Sequence, residues 1–74
     1  RLEKYEKAQA ELEAARELNS SDGVICDHLG DTHLQLGNQK EAELMWQRAL
    51  ELLDAEKDRK QIDLLRTKLE NLSD

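Results

Sequence analysis

Proline and phenylalanine are missing from this 74-residue chain, and cysteine, tryptophan and tyrosine occur once each. A lone cysteine, Cys26, excludes an internal disulfide and leaves the redox compartment open. So short a chain has room for one domain, and its core is small for the surface it must close. Basic residues are the next shortage. Eleven Lys and Arg stand against 17 Asp and Glu, a formal net charge of −6. A binder of nucleic-acid phosphates needs clustered cations to displace counterions, so nucleic acid is excluded as a partner. No apolar run is long enough to cross a bilayer, and there is no signal-peptide core. Glycine occurs three times, isolated at Gly23, Gly30 and Gly37, each with a turn or packing role. No phosphate loop, nucleophile elbow or paired metal motif is present, so the expectation is a protein that is not an enzyme and carries no cofactor or metal. The chain opens on Arg1 rather than Met and reads as a piece of something longer.

What is present is helix-forming. Ala, Leu, Glu and Lys dominate, β-branched residues are few, and charged residues make up 38%. The first helix is expected over roughly Leu2 to Leu18, where Tyr5, Ala8, Leu12, Ala15 and Leu18 share one face. The run from Asn19 to Gly23 breaks it with turn formers and N-cap residues. A second helix is expected from Val24 to Leu36, ended by Gly37. A third runs from Gln39 to Leu53, with Asn38 and Glu41 as a variant capping box. Its apolar residues fall on more than one side, which suits a helix packed between two neighbours. The fourth runs from Asp58 to Leu72, with Asp58 and Gln61 as reciprocal caps and a narrow stripe of Ile62, Leu65, Leu69 and Leu72. The stretch from Asp54 to Lys57 holds neither glycine nor proline, so a turn and a bent continuous helix are both open there. Glu and Lys neighbours over residues 1 to 17 and 54 to 70 read as solvated faces with weak helix pairing.

The titratable residues offer few chemical sites. Cys26 and His33 are seven apart and share a face, but a metal needs three or four ligands and no third converges, so both read as core positions. His28 and His33 are five apart and point away from each other, which leaves His28 on the surface or lining a groove. Asp27 and Asp31 are four apart and share a face. They read as an acid–base dyad, as an acidic binding stripe or as a plain solvated face, and the residues alone favour the last.

A shift of 34 residues places Ala8 on Ala42, Leu12 on Trp46, Ala15 on Ala49 and Leu18 on Leu52. With Leu29-Gly30 in the second helix, Gly37 at its end, and the small-large-small set Ala42, Trp46 and Ala49, the chain resembles the tetratricopeptide repeat family. That resemblance implies an all-α fold of about four helices, in antiparallel helix-turn-helix repeats stacked as an α-solenoid. It divides a single domain over residues 1–74 into the second helix of a preceding repeat (1–22), one complete repeat (23–56) and a C-terminal capping helix (57–74). Tyr5 then sits where that preceding helix often carries an aromatic. The departures are Cys26 for a common Trp, His33 for a common Tyr, and Ser20 and Asp54 for common prolines.

In this family the first helix of each repeat lines a concave binding groove. Asp27 and Asp31 fall on positions that carry the Lys and Asn of a carboxylate clamp in chaperone-binding members. The reversed charge implies a protein or peptide partner that is basic or polar rather than acidic, with Leu34 and Gln35 extending the same surface. A second expectation is structural: a C-terminal cap of a longer superhelix, whose binding face lies upstream. The first helix lacks its partner helix, so Leu2 and Tyr5 offer a surface for a homodimer.

Overall fold

The structure, a computed structural model, describes residues 2–73. Four helices follow in order: α1 (Leu2–Leu18), α2 (Gly23–Gln35), α3 (Gln39–Leu52) and α4 (Arg59–Ser73), with no strand among the described residues. Each lies against the next along the chain. The body measures 35 × 33 × 16 Å. Its thickness is little more than one helix with its side chains, about 10–12 Å across. So thin a body has a small interior.

Each connection is built by identifiable groups. Asp22 is the N-cap of α2, and its Oδ1 accepts from the backbone N–H of Val24 and of Ile25 at 2.9 and 3.3 Å. At the other end Gly37 has φ +82°, a left-handed conformation that glycine adopts without a Cβ clash. The Asn38 N–H then reaches back to the His33 carbonyl at 2.8 Å, and the Gly37 N–H to Leu34 at 3.0 Å. That pair of bonds is a Schellman closure, and it turns the chain sharply into α3.

Two expected caps form differently. Asn38 stands at the N-cap of α3 but makes no side-chain cap bond. Its amide instead meets His33 Nδ1 at 3.4 Å. Asp58 and Gln61 do not cap α4 reciprocally. Asp58 Oδ2 accepts from the Asp54 N–H at 2.9 Å, and the Gln61 amide leaves for α2. The stretch between α3 and α4 is a turn, not a bend. Asp54 Oδ1 accepts from the N–H groups of Glu56 and Lys57 at 2.8 and 3.0 Å. Two aspartates thus do the work of the missing glycine or proline.

Cys26, Ala42, Trp46, Ala49 and Leu65 form the buried cluster, with Leu50, Leu52, Leu53, Leu69 and Leu72 packed against it. Trp46 is the largest side chain in it and is 1% exposed. Its indole lies flat on Gly30: a Cβ there would stand 2.2 Å from both Cδ1 and Nε1. Glycine is therefore required by the closeness of the indole, not by its backbone angles. Burial of the indole N–H is compensated by a bond to the Asp27 carbonyl at 3.2 Å. α4 runs antiparallel to α3, and the Gln39 side chain donates to the Leu72 carbonyl at 3.3 Å. α1 contributes no fully buried residue; Ala8, Leu12 and Ala15 are half-buried.

Candidate interaction site

Asp27 and Asp31 sit one turn apart on α2, on the side that α4 covers. Asp27 is buried at 6% exposure, an unusual place for a carboxylate unless it is paired. Both of its oxygens are taken. Oδ2 accepts from Gln61 Nε2 at 2.8 Å, and Oδ1 from Lys68 Nζ at 3.1 Å. Lys68 also donates to Asp31 Oδ1 at 2.9 Å. The ammonium stands 5.5 Å from the centre of the Trp46 ring, within range of a cation–π attraction. Lys68 therefore occupies a cage of two carboxylates and an indole, formed by α2 and α3 and entered from α4.

Partial burial alone would lower the Lys68 pKa. The hydrogen bonds it donates to Asp31 and Asp27, with the charge of both, outweigh that and raise the Lys68 pKa above the ordinary lysine value. One ammonium facing two carboxylates leaves a net negative charge at the site. Most of it is accessible at Asp31, whose side chain is 47% exposed. Leu34 and Gln35 follow one turn on, and both are exposed.

The four residues expected to contact a partner are thus in different situations. Asp31, Leu34 and Gln35 form an open strip. Asp27 does not lie open, because Lys68 and Gln61 of the same chain cover it. Its charge reversal would therefore strike the fold as well as any partner; Asp31 also holds Lys68 but is the more exposed of the two, so its variant suits a binding test once its own unfolding is measured beside it. His28 is exposed, and its carbonyl accepts from the Thr32 hydroxyl at 2.9 Å.

A second concavity, about 480 Å³, opens between α1 and the α2–α3 pair. Leu29 and His33 line it from α2, Glu41 and Met45 from α3, and Glu13, Arg16 and Glu17 from α1. Cys26 instead lies in the core cluster, so the Cys26–His33 pair assembles no site. Among the described residues no three His, Cys, Asp or Glu side chains are grouped to hold a metal, and no helix is long and apolar enough to cross a membrane.

Lys68 and Gln61 carry no signal as a pair with α2 in the sequence, being 41 and 34 residues from Asp27. One cue was local. Lys68 comes three residues after Leu65 and just before Leu69, so it borders the apolar stripe of its helix.

No family model matches the chain, and no curated protein or solved structure matches it significantly. The class that fold and site define is, over the described residues, an all-α arrangement of four helices with a lysine-filled acidic cage.

Proposed function

We propose that this chain is a protein-interaction module of stacked tetratricopeptide-like helix pairs, which holds a peptide or partner helix against the α2 face. The observation that carries the reading is the occupant of the acidic cage. That face already receives a lysine and a glutamine presented by a helix. A basic or polar helical segment is therefore the ligand chemistry it accepts, and Asp31, Leu34 and Gln35 are the contacts left open. The excess of acidic residues over basic ones points the same way and away from nucleic acid.

Trp46 is the sole tryptophan and borders the cage, so its fluorescence reports on it. The test is titration of the chain with a synthetic amphipathic helical peptide carrying lysines, against a twin carrying glutamates. The lysine peptide should bind more tightly, and Asp31→Lys should weaken it by about tenfold, the order expected for a close charge pair. Equal binding of both peptides, or an unchanged affinity in the variant, would sink the reading.

A second reading is a C-terminal cap of a longer superhelix, favoured by α4. Leu65 is fully buried on its inner side, while Lys60, Asp63 and Thr67 surround Leu64 on its outer side. A helix that docks one face and wets the other suits the end of a stack. Under this reading neither peptide binds, and the chain serves only to close its upstream neighbours.

A further inference from the structure

The turn between α3 and α4 is unusual in what holds it. Between Leu52 and Arg59 stand Leu53, Asp54, Ala55, Glu56, Lys57 and Asp58, with no glycine or proline among them. Ala, Glu and Lys are strong helix formers. The turn exists because Asp54 and Asp58 take backbone N–H groups with their carboxylates. With those bonds released, the same residues satisfy a continuous helix from Gln39 to Ser73, on the order of 50 Å long at 1.5 Å per residue. Such a helix carries α4 away from its own α2. It uncovers Trp46 and leaves Asp27 and Asp31 without Lys68.

One partner is known to fit the vacated face: the α4 of a second copy. It carries Gln61, Leu65 and Lys68 in the register that the cage and core accept. We propose that this chain forms a dimer by exchange of α4, in which the Lys68 of each copy enters the Asp27–Asp31–Trp46 cage of the other. Every α4 contact of the monomer is kept in the exchanged form, so the two states differ mainly in residues 53–58. There the exchanged form gains helical hydrogen bonds and loses the two aspartate caps. It also brings Asp54 and Asp58 four residues apart on one helix, where like charges repel. The balance is set by the aspartates and by concentration. This inference stands apart from the peptide-binding reading, since the occupant is the chain itself.

The test uses the whole chain. An equal mixture of isotopically light and heavy chains is heated through unfolding, cooled at high concentration and sized by light scattering. A zero-length carbodiimide then couples Lys68 to the nearby carboxylates. Exchange predicts a dimer fraction in which about half of the Lys68–Asp31 cross-links join light to heavy chains, as random pairing requires, while the monomer fraction gives only links within one chain. Asp54→Ala with Asp58→Ala should raise the dimer association constant by about tenfold through loss of the caps. Ala55→Pro acts in the opposite direction. Proline is welcome just after a capping residue such as Asp54 but breaks a helix interior, so the dimer should fall by about a hundredfold. Should Ala55→Pro fail to fold, as circular dichroism would show, the aspartate variants and the isotope pattern still decide. The proposal is overturned if no dimer forms at any concentration. It is equally overturned if the dimer carries only same-isotope Lys68 links, or if a folded Ala55→Pro chain dimerises undiminished.

Discussion

The two ends of the molecule flank the same central pair, α2 and α3, and are fastened in different ways. α1 is the longest helix, at 17 residues, yet it buries none of them fully. Its half-buried apolar residues are Ala8, Leu12 and Ala15, and it leaves Leu2, Tyr5 and Leu18 exposed, the last at 91%. α4 inserts Leu65 into the core and adds a polar latch of Gln61 and Lys68. Under a shift of 34 residues Leu12 stands where α3 has Trp46. A small residue pattern without its large member lets a helix lie close but gives it little to bury. The α4 end should accordingly open together with the core, and the α1 end before it. Amide exchange would show this as faster exchange over residues 2–18 than over 59–73.

The strongest way to break the contrast is at Trp46, which α4 and α2 share. Trp46→Ala should cost about 3–5 kcal/mol, the range for deleting a buried aromatic. At about 0.05–0.15 kcal/mol per residue a 74-residue chain has roughly 4–11 kcal/mol of stability, so this removes a large part of it. Gly30→Ala attacks the same contact from α2, because its methyl group would overlap the indole. Thermal unfolding by circular dichroism checks both. A Trp46→Ala chain that melts like the parent would show that the indole is not what fastens α4.

The α2–α3 pair is the part that was legible in the sequence. Its apolar spacing, the glycine at 37 and the Ala42–Trp46–Ala49 set act locally or through one neighbour. The break at 53–58 was legible to within a residue at each end, but the sequence left a turn and a bent helix both open there, because Asp54 and Asp58 form the turn with side-chain bonds that helix propensity opposes. The burial of Asp27 was also hidden. A charged residue usually faces water, and only a lysine 41 residues away makes burial tolerable. The open half of the site, Asp31, Leu34 and Gln35, could be placed on one surface from helical spacing alone.

A finer comparison lies within the latch. Asp31 holds the nearer oxygen to Lys68, at 2.9 against 3.1 Å, but Asp27 is the buried partner. Burial should decide, since an exposed pair is screened by water. Asp27→Ala should cost about 1–3 kcal/mol, because it leaves the Gln61 amide and one Lys68 bond without an acceptor. Asp31→Ala should cost less than about 1 kcal/mol. Double-mutant cycles with Lys68→Met, read by urea unfolding, measure each coupling. Equal couplings would show that water reaches both carboxylates alike.

The α4 end should also respond to pH at both extremes. The N–H groups of Lys57 and Glu56 hold the Asp54 carboxyl below its ordinary 3.8. A group depressed in the folded state stabilises it above the unfolded value and loses that effect as pH falls through the folded one. The turn should therefore loosen below about pH 3.8, and Asp54→Asn should flatten that limb. Lys68 is raised, so its contribution is complete below the ordinary 10.5 and is lost as pH rises through the higher folded value. Lys68→Met should flatten the alkaline limb. Unfolding midpoints across pH for the parent and both variants read this directly, and parallel curves would show that neither group is linked to stability.

The smallest expected effect belongs to the α1 end. Leu2→Ser with Tyr5→Ser alters two side chains that are already exposed, so stability should move by no more than about 0.5 kcal/mol. Association is another matter. If copies of the chain meet through α1, this double variant sediments as a monomer where the parent does not, and Ala55→Pro changes nothing. If they meet by exchange of α4, the roles reverse: Ala55→Pro weakens the dimer by about a hundredfold and the α1 variant leaves it intact. The same two variants, followed by sedimentation across concentration, assign self-association to one end or the other. They also test the premise of the comparison, since an α1 face that binds a second copy would be buried in solution, and its exposed leucine and tyrosine would then have the same physical role as Leu65 at the opposite end.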